Sequence, residues 1–265
     1  MTDTLIQAGT YQNILIGAFI YMTLIFIGGA MGRSPYGRFA SKRAKFSLTP
    51  QLGWFLMELP ATLSFVYFYF QGQNRFETVP LIFLGVWLIH YGNRGFMFPF
   101  LMRVAKGAKA SFGLVIVLTG WIVTTLHGYL NAVFISHLSD HLNDSWLTDP
   151  RFIIGLLIWA TGYLLNLHSD SIIRNLRTKK EVANGEKNYR IPKGGLFNYI
   201  TNASYFSEII SFIGFAIASW SLGALFVLGV TVANLVPRAF QSHQWYVDKF
   251  PDYPKKRKVL IPGIL

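Results

Sequence analysis

Two glutamates interrupt otherwise apolar runs: Glu58 in WFLMELP and Glu208 in ASYFSEIISF. His90 and Tyr91 are adjacent in LIHYGNRGF, with Asn93 and Arg94 one turn on. Asn166, His168 and Asp170 fall in LLNLHSD, and His127 and Asn131 in TLHGYLN. Ionisable groups within long apolar runs are costly to bury and are functional candidates by default. Each group also has a plainer use. Glu58 could bond a neighbouring helix beside a kink at Pro60, and Arg94 could snorkel. His127 and Asn131 read as interhelical hydrogen bonds.

Other chemistries find no residues here. The chain has no cysteine, which removes disulfides, thiolate catalysis and Cys-ligated metals. It carries no GxGxxG and no Walker A motif. No HExxH or clustered His/Asp set stands out, so no metal site is expected.

The elements that must hold these groups are set by composition. Of 265 residues, 52% are hydrophobic and only 14% charged, against roughly 25% charged in an average soluble domain. Mean hydropathy is +0.37. Such a chain lacks the polar groups to cover a soluble surface, which excludes an ordinary cytosolic enzyme, a coiled coil and a disordered protein. Apolar runs at 13–31, 52–71, 78–100, 112–137, 151–168, 204–220 and 222–237 are each near the length that crosses a bilayer. The last two are separated only by a tight turn at Ser221–Gly223, and as one helix they would leave six spans. No signal peptide and no internal repeat are evident.

The charges favour seven. Of 24 basic residues, 21 lie in 32–50, 101–111, 169–203 and after 237. The alternate segments hold only Arg75 and Arg151, beside Asp3, Glu77, Asp140, Asp144 and Asp149. The positive-inside bias then places the N-terminus outside and the C-terminus in the cytoplasm, which needs an odd number of spans. The expected fold is an all-α membrane protein with seven transmembrane helices, forming a single integral-membrane domain over 1–265. The net charge of +12 is thereby a topology signal and gives no reason to expect nucleic acid. Span direction aims Glu58, Tyr91, Arg94, Asn166, Asp170 and Glu208 at one cavity in the cytoplasmic half. Its rim carries Arg174, Arg177, Arg190 and Lys193, which suit phosphates. An apolar substrate with a phosphorylated cofactor is the pairing these residues suggest.

Five separated segments carry a resemblance: WFLMELP, IHYGNR, NLHSDSIIRNLR, YRIPKGGLFNYIT and RAFQSHQWYVDKFPDYPKKRKVLIP. Together they resemble the steroid 5α-reductase family of membrane oxidoreductases, in order and spacing, from about residue 32 onward. The resemblance implies NADPH held on the cytoplasmic side and a 3-oxo-Δ4-steroid in the membrane cavity. It implies hydride transfer to C5 with a proton added at C4. Glu58 and Tyr91 match the positions that hold the 3-keto oxygen, as catalytic and substrate-binding residues, with Trp54 and Phe98 also lining the steroid site. Cofactor contacts carry over to Asn166, Asp170, Arg177, Tyr189, Arg190, Ser204, Glu208, His243 and Tyr246. This chain has Ser204-Tyr205 where the family usually has Asn before an aromatic residue, and Asn202 is a candidate replacement. Phe98 stands where some members have tyrosine.

The expected protein is a monomer in the bilayer, either a bacterial inner membrane or the endoplasmic reticulum. Reductases of enoyl thioesters or polyprenols share the C-terminal pattern and are the alternative within the superfamily. A methyltransferase using S-adenosylmethionine is more distant. A proton-coupled transporter using Glu58 and Glu208 is the alternative from another class, although the paired broken repeats of transporters are not seen.

Overall fold

The structure, a computed structural model, describes residues 2–31, 46–107 and 112–265. Much of the basic segment 32–50, and Lys109, lie outside the described residues. Seven helices of 14 or more residues occur among those described. They are α1 (Ala8–Met31), α2 (Pro50–Tyr69), α3 (Thr78–Tyr91), α4 (Leu114–Val133), α5 (Pro150–Asn175), α6 (Ala203–Ser219) and α7 (Leu222–Lys249). Each falls on one predicted apolar run. Four segments, Ala8–Gly29, Leu114–Leu138, Pro150–Asn175 and Leu222–Lys249, are long and apolar enough to cross a membrane on length and composition alone. The helices present a band of exposed Ile16, Ile20, Leu63, Val115, Ile122, Leu157 and Leu164. A continuous apolar exterior of this kind is lipid-facing. The chain is a mostly helical, multi-pass membrane protein.

Several boundaries differ from expectation. The fifth helix runs past residue 168 to Asn175, because Asn166 and Ser169 are buried against α6 and the polar residues continue the helix as protein-facing positions. The seventh runs through Pro237 to Lys249. Proline costs a helix one backbone hydrogen bond, and the surrounding packing tolerates that loss. Gly29 of α1 lies over the Ala233 carbonyl and the Pro237 ring, where a Cβ would come within 3.1 Å of the oxygen. The third run is one helix only to Tyr91; Gly92–Met97 widens into a π turn before a last α turn at Phe98–Leu101. A two-residue antiparallel pairing, β1 (Ser47–Leu48) with β2 (Phe112–Gly113), joins the starts of α2 and α4, so the chain is not wholly α.

The break between α6 and α7 makes two separate helices of the last two apolar runs. Trp220 ends α6 in the left-handed region (φ 47°), and the Ser221 hydroxyl caps α7 by accepting from the Ala224 N–H at 3.0 Å. Helices α5 and α6 share the most extensive contact among the described residues. Gly155 and Gly162 of α5 permit it: an added Cβ would lie 2.4 Å from the Ala218 or Ser211 nitrogen. This close seam fixes Asn166 of α5 opposite Glu208 of α6. A second seam, α2 against α4, fixes the helix bearing Glu58.

Candidate active site

Two cavities lie end to end along the bundle. The inner one, about 520 Å³, is lined by Trp54, Met57, Glu58, His90, Tyr91, Arg94, Thr124, His127 and Glu208, and by α1 and α7. That volume is within the roughly 300–1,000 Å³ of small-molecule sites. The outer one, about 280 Å³, is lined by Phe98, Arg103, Asp170, Arg174, Arg177, Asn188, Tyr189, Arg190 and Tyr246.

The π turn at Gly92–Met97 makes the inner site possible. An extra residue in the turn rotates Arg94 and Gly95 inward, where both are buried. Gly95 lets this turn approach Glu58, whose Cβ would be 3.3 Å from an added Cβ. Tyr91 is buried against the Trp87 ring at 4.6 Å, and Trp87 is held by its Nε1–H to the Ala61 carbonyl at 3.1 Å. The Tyr91 hydroxyl pairs with His127 Nδ1 at 3.1 Å.

Between the cavities stands an ion-pair network. Arg94 Nη1 donates to Asp170 Oδ2 at 3.2 Å, and Arg94 Nε lies 3.8 Å from Glu208 Oε1. The Arg94 guanidinium is 5.0 Å above the Trp54 ring and 4.7 Å from that of Phe98. Glu208 Oε1 also meets His90 Nε2 at 3.2 Å, and its Oε2 accepts from Asn166 Nδ2 at 2.9 Å. Arg94 is 9% exposed, so the snorkelling expectation is corrected: it is the cation that balances buried acids. Phe98, expected on the steroid side, is part of this partition and lines the outer cavity. His127, expected to make an interhelical hydrogen bond, makes one to Tyr91 and also lines the inner cavity.

The outer cavity is a ring of guanidinium groups. Arg177 Nε donates to the Asn188 carbonyl at 3.1 Å, and its guanidinium is 5.3 Å from the Tyr189 ring. Arg103 donates to the Arg177 carbonyl. Arg190 pairs with Glu181 and with the Leu176 carbonyl. Glu181 is held well below the usual carboxylate range, first by Arg190 and then by the Thr178 N–H and Asn188. Its capping box with Thr178 opens the short helix Lys179–Ala183. Tyr246 stacks on Phe250 at 5.9 Å.

Two expected positions behave differently. His243 lines neither cavity; its Nδ1 pairs with Thr201 Oγ1 at 2.5 Å and its ring meets Tyr253 at 5.7 Å. Asn202 is committed to carbonyl oxygens of Ala239 and Val259, at 3.0 and 2.8 Å, so it ties the C-terminal tail to α7. Ser204 offers its carbonyl to Asn166 Nδ2 at 2.9 Å.

This arrangement can hold a polar atom of an apolar molecule in the inner cavity and an anionic group in the outer one. Comparison with known proteins identifies the family. The family described as 3-oxo-5-alpha-steroid 4-dehydrogenase matches residues 110–265. A 3-oxo-5-alpha-steroid 4-dehydrogenase 1 from Bos taurus is 39% identical over 98% of this chain and 97% of its own length. The protein of the same name from Homo sapiens is 38% identical over 96% and 97%. Steroid 5-alpha-reductase DET2 from Solanum lycopersicum is 34% identical over 86% and 87%. With an end-to-end match at this identity, the chain belongs to the 3-oxo-5-alpha-steroid 4-dehydrogenase family, the steroid 5α-reductases.

Proposed function

We propose that the protein reduces the Δ4 double bond of a 3-oxo-Δ4-steroid, using NADPH bound from the cytoplasmic side. The observation that carries this reading is the pairing of Glu58 and Tyr91 in an apolar cavity that adjoins an arginine-lined one across Arg94 and Asp170. The donor set of the outer cavity fits a phosphorylated cofactor: Arg177 and Arg190 would hold phosphates, with Tyr189 and Tyr246 beside them. Asp170 of the outer cavity and Glu208 of the inner one, with Asn166 bonded to Glu208 and to the Ser204 carbonyl, would hold the reducing end. When bound, NADPH supplies a hydride, and its chemistry is its own.

The chain's residues do the rest. Tyr91 and a neutral Glu58 direct hydrogen bonds at the 3-keto oxygen. As the double bond accepts hydride at C5, negative charge gathers on that oxygen and both bonds strengthen. A proton from the aqueous side then adds at C4, which completes the reduction and restores the ketone. The cavity walls exclude water, which raises the value of each donor. Trp54 forms part of the steroid-side wall and is itself braced by Arg94 and Phe98.

NADPH oxidation by the detergent-purified protein tests the reading. Testosterone and progesterone should be consumed; consumption only of enoyl thioesters or polyprenols would overturn the steroid assignment. Arg177→Ala should raise the NADPH KM by roughly tenfold to a hundredfold, the range of a lost charged hydrogen bond, with the steroid KM nearly unchanged. Arg190 is shared with Glu181, so Glu181→Gln, which keeps the capping box, should lower the NADPH KM. An unchanged NADPH KM in both variants would remove both arginines from the cofactor site.

All seven helices are proposed to cross the bilayer, with the N-terminus outside and the 169–203 segment and C-terminus in the cytoplasm. Single cysteines introduced into this cysteine-free chain report sidedness directly. A cysteine at Gly185 should label only from the cytoplasmic side; labelling from outside alone would overturn the topology.

A further inference from the structure

The inner cavity contains a buried histidine with no part in the reading above. His127, on α4, is buried, and its ring edge lies against Phe226 at 5.5 Å between centroids. Its Nδ1 is 3.1 Å from the Tyr91 hydroxyl, and its Nε2 is buried with no hydrogen-bond partner among the described residues. It reaches Tyr91 because α4 packs closely on α2: at Gly128 an added Cβ would lie 2.6 Å from the Phe65 nitrogen and 2.0 Å from Ser64 Oγ.

A neutral imidazole has one N–H and one bare nitrogen. If the hydrogen sits on Nε2, a buried donor is orphaned, and the Tyr91 O–H must be turned towards His127 to satisfy Nδ1. If it sits on Nδ1, the hydrogen is paired with the Tyr91 oxygen, and only an acceptor is left bare. Orphaned buried N–H groups are the rarer case. The second tautomer also leaves the Tyr91 hydrogen free to point into the cavity. Trp87 fixes the ring of Tyr91 from one side, but a phenol hydrogen rotates about its C–O bond whatever the ring does.

We propose that His127 is a positioning residue: as the Nδ1–H tautomer it donates to the Tyr91 oxygen and so aims the Tyr91 hydroxyl hydrogen at the substrate carbonyl. This rests on the assignment of Tyr91 to the ketone. A chain of two hydrogen bonds, His127 to Tyr91 to carbonyl, polarises along its length as charge develops on the oxygen. His127 needs no contact with the substrate and no proton transfer of its own.

The test compares His127→Asn, His127→Phe and Tyr91→Phe, with kcat and steroid KM measured separately at saturating NADPH. Asparagine places an amide nitrogen close to where Nδ1 stands and can donate to Tyr91; phenylalanine keeps the ring and removes both nitrogens. His127→Phe should lower kcat by roughly tenfold to a hundredfold, as for a misaligned donor, with a smaller change in KM. His127→Asn should recover most of that loss. The double variant His127→Phe with Tyr91→Phe should be no slower than Tyr91→Phe alone, since His127 acts only through the hydroxyl. Full activity of Tyr91→Phe would overturn the ketone assignment itself. An impaired Tyr91→Phe with a fully active His127→Phe would overturn only the role of His127. So would equal losses in His127→Asn and His127→Phe, or additive losses in the double variant, which mark a packing role. Retained steroid binding by equilibrium dialysis identifies variants that are folded.

Discussion

Tyr91→Phe should reduce turnover by roughly 10²–10³-fold, the usual cost of one donor lost from a developing oxyanion. The ring stays, so its packing on Trp87 at 4.6 Å is preserved and the fold should survive. The loss should appear in kcat, because the bond matters most when charge gathers on the oxygen. Glu58 gives the second half of the test. If Glu58 donates as a neutral carboxyl, Glu58→Gln keeps an N–H donor and should be milder than Glu58→Ala. If it works as an anion, the two should be similarly damaging. The NADPH KM should be nearly unchanged in all three variants, since the arginines proposed for the cofactor phosphates lie beyond Arg94 and Asp170. Folded variants that reduce testosterone at the parental rate would leave both residues as packing groups.

Arg94→Met should be the most destabilising of the substitutions considered. It removes the cation that pairs with Asp170 at 3.2 Å and faces Glu208 at 3.8 Å, both inside the bundle. Removing one partner of a buried pair typically costs about 3–5 kcal/mol, because the other charge is left uncompensated. It also takes away the group stacked on Trp54 and Phe98, so the partition between the cavities should loosen. Thermal unfolding in detergent should show the loss directly. Adding Asp170→Asn and Glu208→Gln to Arg94→Met should restore part of the stability, since neutral groups no longer need the cation, while activity stays low. A single Arg94→Met variant as heat-stable as the parent would show that water already screens these acids and that Arg94 is not their balancing charge.

The charge census of the apolar runs already held the clue to Arg94. Glu58 and Glu208 are carboxyls inside those runs, Asp170 lies just beyond one of them, and Arg94 is the only cation in the interior of a run, Arg151 standing at the first position of its own. Reading Arg94 as a snorkelling residue treated it as belonging to its own helix end, whereas buried acids from three helices compete for it. Its inward direction depends on the π turn at Gly92–Met97, and no periodicity of 3.6 residues announces an extra residue in a turn.

Composition and charge alone determined that this chain is a helical membrane protein, since 52% hydrophobic and 14% charged residues leave no soluble solution. The positions of the apolar runs also placed each of the seven long helices, because a long apolar segment satisfies its backbone internally by forming a continuous helix. Glu58, Tyr91, Asn166 and Glu208 were legible as candidates because polar groups are costly in such segments. Tertiary structure decided which of them meet. Helices α5 and α7 run past the apolar boundary, with Ser169 of α5 and Ser242 and Tyr246 of α7 buried against the rest of the protein. His127 joins Tyr91 because Gly128 lets two helices approach, and His243 stands apart because Thr201 and Tyr253 hold it. Such pairings depend on which faces of different helices are turned together. Hydropathy within one helix carries no information about that, because a bundle's packing is set by side-chain shape across its interfaces.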